Sequence, residues 1–269
     1  MAKKLSPWVV WGLVRELRTA AEDTRPLQVS GALASQLEKE LARGAMSGAV
    51  RSSGRIEDAA VLVRVLGGPP TEEDERELRE AKRAKVPVVA VQTGTEFFDT
   101  PYVLATDVVM CRPGAGFPVE EIAAAIAARL GEGGTALAAR VPVLREPVCA
   151  ELIERFSRQN GIIGIAVFLP GADFAVLTLN QIRLVLRLAG AHGLEVDQSR
   201  LPEVLATLGA GFGFRALARQ VLGAVPVAGW VVKGGIAYAG TRALGGAAQL
   251  YFAQVAESAR ADPATRRDP

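Results

Sequence analysis

A glycine- and alanine-rich stretch from Gly223 to Phe252 constrains the fold of this chain more than any other segment. It is mostly apolar, and its only charged residues are Lys233 and Arg242. Small residues recur in it four positions apart: Gly235, Ala239, Ala243 and Ala247. On a helix, residues at this spacing form one smooth stripe against which a second helix can pack closely. The stretch therefore predicts helix packing, and it offers no chemical group for catalysis.

The first half of the chain alternates between strand and helix patterns. Nearly continuous apolar runs at residues 26–31, 59–67, 86–94 and 107–111 predict buried strands, and residues 48–53 predict an edge strand. Strands that alternate with helices of about ten residues predict an α/β domain with a doubly wound, mostly parallel sheet. Strand patterns end at Val143, so an all-α domain is predicted to follow.

These patterns divide the chain into four predicted regions. Residues 1–24 form an amphipathic N-terminal helix, and residues 25–135 form the α/β domain. Residues 136–256 form a hydrophobic helical domain. Residues 257–269 are a polar, proline-containing tail that is predicted to be disordered.

Two tryptophans near the start, Trp8 and Trp11, lie close to Lys3 and Lys4. A helix with this pattern can anchor a protein at a membrane interface. Docking of the same helix on the rest of the protein is the alternative, and the residues alone leave both open. The N-terminal residues show no signal-peptide cleavage site, so we expect a cytoplasmic protein, with peripheral attachment to the inner membrane face as a variant of that location.

The charge and the metal-ligand content exclude several classes of function. A net charge of +2, with 22% of residues charged, gives no general attraction for nucleic acid. Cys111 and Cys149 are far apart and His192 is the one histidine, so no zinc site is expected. We predict no metal and no cofactor.

The segment where a phosphate-binding loop would follow the first strand argues against nucleotide hydrolysis. That loop needs the pattern GxxxxGK[ST], in which glycine backbone N–H groups and the lysine bind phosphates. Residues 30–36 read SGALASQ, with one glycine and no lysine. The sequence therefore predicts that nucleoside triphosphates are not substrates.

The carboxyl ends of the later strands are the remaining place for a ligand, because open α/β sheets bind ligands at that edge. Two loops should meet there, and they contribute Gln92, Thr93, Gly94, Thr95, Arg112, Gly114 and Gly116. The pair Gly114 and Gly116 lacks the third glycine of a dinucleotide site, so a simple turn is the competing interpretation. These residues predict at most a site for a small ligand.

Isolated charges in apolar surroundings are candidates for buried ion pairs. Asp173 follows an apolar run and either caps a helix or pairs with Lys233 or Arg242. The acidic run Glu72–Glu75 is interpreted as a solvated helix start, where the helix dipole favours negative charge.

The second half resembles an uncharacterised bacterial helical domain that is found after Era-like GTPases. The resemblance covers roughly residues 140–252 and rests on the motifs PGADF, TLNQ, GFRALAR and AYAGTRALG. It implies a protein associated with membranes or with GTPases.

The first half is similar to the latter part of such a GTPase. Residues 59–94 look like the strand, helix and strand that lead to the guanine-reading NKxD motif, and Gln92 to Thr95 stand at that position. The resemblance implies a degenerate, nucleotide-free relative and transfers no catalytic residue.

Three functions remain as expectations. The first is a non-enzymatic, pseudo-GTPase-like scaffold whose helical domain self-associates, binds a protein partner or contacts a membrane surface. The second is a small-ligand-binding protein or enzyme that uses the strand-end edge. The third is an integral membrane hairpin, against which the charges at Arg183 and Arg187 argue.

Overall fold

The computed structural model of the protein describes residues 12, 15, 19–112, 114–166, 172–194 and 229–261. The chain divides into two compact units. The α/β unit comprises Glu22–Glu151, and the helical unit comprises Met1–Ala21 with Leu152–Pro269.

The α/β unit contains a five-stranded sheet in which every pair of neighbouring strands is parallel. The strand order is β2-β1-β3-β4-β5, with β1 at Leu27–Gly31, β2 at Val50–Arg51, β3 at Val61–Leu66, β4 at Val88–Gln92 and β5 at Val108–Met110. The predicted α/β architecture is confirmed. β3 and β4 are buried at every position, because a parallel sheet is covered on both faces and its strands are therefore nearly continuous apolar runs.

Four helices accompany the sheet: α1 at Ala34–Leu41, α2 at Glu72–Arg83, α3 at Val119–Leu130 and α4 at Thr135–Arg140. Helix α2 begins after Thr71, whose hydroxyl accepts the Asp74 N–H while the Asp74 carboxylate accepts the Thr71 N–H. This reciprocal capping box satisfies two backbone donors that the first helical turn leaves unpaired. Leu78 of α2 then packs with Leu62 and Val88 of the sheet.

The α/β unit extends beyond the predicted boundary at residue 135. Leu137, Val141 and Leu144 are buried, and the Met46 N–H donates to the Arg140 carbonyl oxygen at 2.8 Å. The Arg140 guanidinium donates to the carbonyl oxygens of Asp23, Thr24 and Arg25 at 2.7–3.1 Å. The guanidinium contacts join residues more than a hundred positions apart, so no local sequence pattern marks them.

The helical unit contains the greater part of α5 (Arg145–Ala166) together with α6 (Ala172–Ala191) and α7 (Gly229–Ala261). The prediction that a helical region follows the α/β part is confirmed. Helix α5 continues without a break through Gly161. A Cβ atom at Gly161 would lie 3.3 Å from Tyr238 Cβ and 3.5 Å from the Gly234 carbonyl oxygen, so glycine permits α5 and α7 to approach closely.

The glycines that contact neighbouring helices differ from the predicted stripe. A Cβ atom at Gly234 would lie 2.5 Å from Ile165 Cγ1 and 2.8 Å from the Gly161 carbonyl oxygen, whereas one at Gly235 would meet nothing within 4 Å. Ala239 and Ala243 are exposed, and Ala247 is partly exposed. Within the described residues, α7 therefore packs on α5 through Gly234, and the role of the predicted stripe in packing stays a prediction. Because Gly234 and Gly235 are adjacent, the sequence alone does not show which of them faces the neighbouring helix.

Several predicted elements lie outside the described residues. They include Trp8, Trp11 and most of the N-terminal helix, of which residues 19–21 are helical. Most of the predicted tail also lies outside. In the part of the chain that is described, no helix combines the length and the apolar character that crossing a bilayer requires.

Candidate functional site

The crevice between β1 and β3 is the place where a sheet of this order would hold a ligand. The strand order changes direction there, since the chain leaves β1 toward β2 and leaves β3 toward β4. Ligands of open α/β sheets bind at such switch points, outside the carboxyl ends of the strands. The loop after β1 would supply the groups that bind a phosphate.

That crevice is closed by the chain itself. Only two residues, Ala32 and Leu33, connect β1 to α1. A Cβ atom at Gly31 would overlap the Val65 carbonyl oxygen, and the Ala32 N–H donates to the same oxygen at 3.0 Å. Gly31 has φ 92° and Leu33 has φ 55°, so a tight left-handed turn starts the helix at once. A phosphate-binding loop needs free backbone N–H groups around an open cradle. This turn provides neither the length nor the space.

A buried ion pair lies beside this turn on β3. Arg64 Nε and Nη2 donate to Asp74 Oδ1 at 2.9 and 2.6 Å, and Arg64 Nη1 also binds Glu77. The Arg64 and Asp74 side chains are 9% and 11% exposed, so the interpretation of Asp74 as part of a solvated helix start is wrong. The pair attaches the first turns of α2 to the sheet.

The pKa of Asp74 reflects both its cap on the first turn of α2 and its ion pair with Arg64. Burial by itself raises the pKa of the carboxyl, but the hydrogen bonds from the Thr71 hydroxyl and backbone N–H, followed by those from Arg64, outweigh it. The pKa of Asp74 consequently lies below its ordinary value, and the carboxylate stays charged. A permanently charged, fully bonded carboxylate is a structural group, and it has no free lone pair directed at a ligand.

Gln92, the last residue of β4, is also fully bonded within the protein. Its side chain is fully buried, and its amide N–H₂ donates to the Phe98 carbonyl oxygen at 2.7 Å and to Thr100 Oγ1 at 3.1 Å. The Phe98 N–H donates back to Gln92 Oε1 at 3.3 Å. The side chain of Gln92 thus holds its own loop, which continues through Thr93, Gly94 and Thr95.

The loop after β5 starts beside that of β4, since the Cys111 N–H donates to the Gln92 carbonyl oxygen at 2.8 Å. Arg112, Gly114 and Gly116 are exposed, and the two glycines have φ 78° and 76° with open space around them. The structure therefore brings the two predicted loops together at the strand-end edge. Whether they bind a ligand stays a prediction.

The helical unit holds a buried amide and hydroxyl cluster between α5, α6 and α7, the helices described there. Asn160 of α5 and Thr241 of α7 are fully buried, and Asn160 Nδ2 donates to Thr241 Oγ1 at 2.8 Å. Asn180 of α6 donates to Asn160 Oδ1 at 3.1 Å, and Thr241 Oγ1 donates to the Ala237 carbonyl oxygen at 2.8 Å. Such a hydrogen-bonded polar network in an apolar core rigidifies the packing and specifies one arrangement of the helices.

A half-exposed ionic cluster connects α5 to α7 nearby. Glu154 accepts hydrogen bonds from Arg242 Nη1 at 2.7 Å, from the Tyr238 hydroxyl at 2.9 Å and from Arg158 Nε at 2.7 Å. The Tyr238 hydrogen bond, then that of Arg158, holds the pKa of Glu154 below its usual value. Arg242 binds Glu154, a partner that the sequence did not suggest, and the pairing of Asp173 with Lys233 or Arg242 stays a prediction. The side chains of Asp173 and Lys233 lie outside the described residues, and so does their predicted pairing.

The described residues contain no cluster of histidine, cysteine, aspartate and glutamate that could hold a metal ion. Cys149 is fully buried and burial raises the pKa of its thiol to about 12, while burial also raises the pKa of Cys111. Neither thiol has the lowered pKa that nucleophilic cysteines show.

Comparison of the chain with protein-family models, with curated proteins and with solved structures found no match in any of the three. The geometry of the molecule is therefore the basis for a functional proposal.

Sequence reasoning missed Arg64 and Glu154. A single cation inside the buried strand VLVRVL is a usable signal, because an arginine can be buried only with a partner. The partner of Glu154 on α7 has no such signal, since 88 positions separate Glu154 from Arg242.

Proposed function

We propose that this protein is a non-catalytic scaffold or interaction protein, with a pseudo-GTPase-like α/β unit and a helical unit that mediates self-association. The observation that carries the proposal is the closed turn from Gly31 to Leu33, which lies where a nucleotide-binding protein would hold phosphate. The absence of a lysine from residues 30–36 supports the same conclusion, because a phosphate-binding loop uses one to neutralise charge.

The guanine-reading position supports the proposal independently. In the GTPases that the first half resembles, an acidic residue in the loop after this strand binds the base. Here Gln92 is fully buried and bonded to Phe98 and Thr100, and the next three residues carry no acid. The acid that binds guanine in those GTPases is thus missing from Gln92 to Thr95.

Isothermal titration calorimetry with the full-length protein tests the proposal directly. We expect no binding heat from GTP, GDP or ATP with magnesium at micromolar ligand concentration. A thermal-shift experiment at millimolar ligand is the second readout, because a ligand that binds only the folded state must raise its melting temperature. Micromolar affinity for any of the three nucleotides would refute the proposal.

The proposed self-association rests on the exposed side of α7. Gly235, Ala239 and Ala243 are exposed, and Ile236 and Leu250 present apolar side chains that are 38% and 68% exposed. Small residues beside apolar ones form a surface on which the same helix of a second copy can pack closely.

Light scattering of the full-length protein tests that part of the proposal. Ala239→Arg places a long charged side chain on the exposed stripe, whereas Ala115→Arg makes the same change in an exposed loop of the α/β unit. We expect a dimer or larger species that Ala239→Arg dissociates and Ala115→Arg preserves. A monomeric wild-type protein that also fails to bind anionic lipid vesicles would exclude the self-association and membrane-contact forms of the scaffold.

A further inference from the structure

A second concave site lies at the opposite edge of the sheet, near the amino end of β4. The cavity has a volume of about 210 Å³, and its polar rim consists of Lys82, Lys85 and Arg129. Three separate segments contribute these cations: the last turn of α2, the turn before β4, and the end of α3. The site is distinct from the strand-end edge considered above.

The cations of this rim are only partly neutralised. Arg129 Nε lies 3.5 Å from Asp107 Oδ2, and this is the acidic contact that the rim makes. Lys82 Nζ lies 4.7 Å from the centre of the Tyr102 ring, and neither Lys82 nor Lys85 forms an ion pair within the described part of the chain. Two positive charges therefore remain available at the mouth of the cavity.

The floor of the cavity is apolar. Leu78, Val86 and Val88 line it, and each is less than a tenth exposed overall. The Tyr102 ring forms one wall, and its hydroxyl accepts a hydrogen bond from Arg79 Nε at 3.3 Å. A cationic rim above an apolar floor with an aromatic wall matches a ligand that has one anionic end and one apolar end.

Two residues that line the cavity have a left-handed backbone conformation. Lys85 and Tyr102 have φ 57° and 67°, in the left-handed region that residues other than glycine rarely adopt. Only Leu33 shares this property among the described non-glycine residues. Lys85 adopts this conformation because it follows the end of α2, where the Val86 N–H donates to the Ala81 carbonyl oxygen at 2.9 Å and closes the helix. This helix end fixes the backbone of Lys85 beside the cavity.

Cations at helix C-termini also have an ordinary role, which is to complement the negative end of the helix dipole. Lys82 and Arg83 both lie in the last turn of α2, but only Lys82 lines the cavity. Arg83 therefore provides a matched control, since its replacement removes the same charge from the same helix end without changing the site.

We propose that this cavity binds a small organic anion, with a carboxylate or phosphate group at the cationic rim and an apolar group on the floor. A cavity of about 150 Å³ holds a benzene ring. The observed volume of about 210 Å³ is large enough to receive one ring, with the anionic group at the open, cationic side. Such binding goes beyond the scaffold role, because it gives the α/β unit a small-molecule site away from the edge where this fold usually binds ligands.

Calorimetry and thermal shift with the full-length protein test the proposal, with benzoate and phenyl phosphate as the probes. Benzyl alcohol and benzylamine serve as neutral and cationic analogues. Because salt screens exposed charges, the buffer should contain about 20 mM salt, where the Debye length is well above 10 Å. We expect the two anions to bind and to raise the melting temperature, and the better of the two identifies the head group. The neutral and cationic analogues should produce no shift.

Two variants connect this binding to the rim. Lys82→Gln with Lys85→Asn removes both unpaired charges, and asparagine tolerates the left-handed backbone at position 85. We expect this double variant to bind the anions about tenfold more weakly or not at all, because each charged hydrogen bond lost is large on the scale of binding energies. Arg83→Gln should bind as the wild type does.

Three results would overturn the proposal: no binding of either anion by the wild-type protein, equal binding of benzyl alcohol, or equal loss of affinity in Arg83→Gln. The comparison of probes on the wild-type protein remains decisive even if the double variant does not fold.

Discussion

Removal of the Asp74 carboxylate should destabilise the α/β unit far more than removal of a neighbouring acid on the same helix. Asp74→Ala deletes two hydrogen bonds from Arg64, at 2.9 and 2.6 Å, and two from Thr71, at 2.7 and 2.6 Å. Glu77 remains as a partner for Arg64, but the guanidinium stays buried with half of its ionic contacts gone. Breaking one side of a buried pair costs about 3–5 kcal/mol, since the remaining charge has lost its compensation.

Glu73→Ala is the matched control. Glu73 also lies in the first turn of α2, and its pair with Arg76 has an N–O distance of 3.7 Å with both side chains 75% exposed. An exposed pair contributes about 0–1 kcal/mol. Both variants remove one acid from the helix start, so the contribution of the helix dipole is similar in the two and the difference isolates the buried network.

The assay must report on the α/β unit. All three tryptophans, Trp8, Trp11 and Trp230, belong to the helical unit by sequence, so tryptophan fluorescence is unsuitable. Hydrogen exchange of the β3 and β4 amides, measured by mass spectrometry, reads the opening free energy of the sheet directly. A loss of about 3–5 kcal/mol accelerates this exchange about a hundredfold to several thousandfold, at about 1.4 kcal/mol for each factor of ten.

Equal exchange rates in Asp74→Ala and Glu73→Ala would refute the reasoning, because they would mean that burial adds nothing to the Arg64 contact. A double-mutant cycle with Arg64→Leu gives a second test. Residues in one network should show a coupling energy of about 0.5–3 kcal/mol, and a coupling near zero would contradict the pair.

Three further predictions concern pH, helix packing and thiol chemistry. The pKa of Asp74 is lower in the folded state than in the unfolded state, where it is about 3.9. The stabilisation that the carboxylate provides is therefore complete above the unfolded pKa and is lost as the pH falls through the folded pKa. Asp74→Asn should flatten the acid limb of a stability–pH curve, and an unchanged limb would contradict this. Gly235→Ala should raise the melting temperature, since Gly235 has open space around it and alanine favours a helix over glycine by up to about 1 kcal/mol. Gly234→Ala should lower the melting temperature, since overpacking against α5 costs about 1–3 kcal/mol. Equal shifts in one direction would show that α7 turns a different face to α5. Burial raises the pKa of the Cys149 thiol to about 12, so Cys149 should resist iodoacetamide at pH 8 until the protein is unfolded in urea. Rapid labelling of the native protein, measured by mass spectrometry, would disprove its burial.

The sequence by itself determined the elements and their order. Apolar runs predict strands β3 and β4, and the acidic run Glu72–Glu75 predicts the start of α2. These signals are local, because hydrogen bonding in a helix turn and coverage of a strand on both faces act on residues that are adjacent in the chain. The alternation of strands and helices then fixed a parallel sheet, since parallel neighbours need a crossover between them.

Only the tertiary structure decided which residues meet. The sequence placed Asp74 in a solvated helix start, but ten positions separate it from Arg64 and the pair is buried. It gave no sign that Arg242 would bind Glu154, which lies 88 positions away in the chain. The choice between Gly234 and Gly235 likewise depends on the rotation of α7 against α5. Local patterns specify which face or segment a residue occupies, whereas partners across the fold are selected by packing and desolvation of the whole molecule.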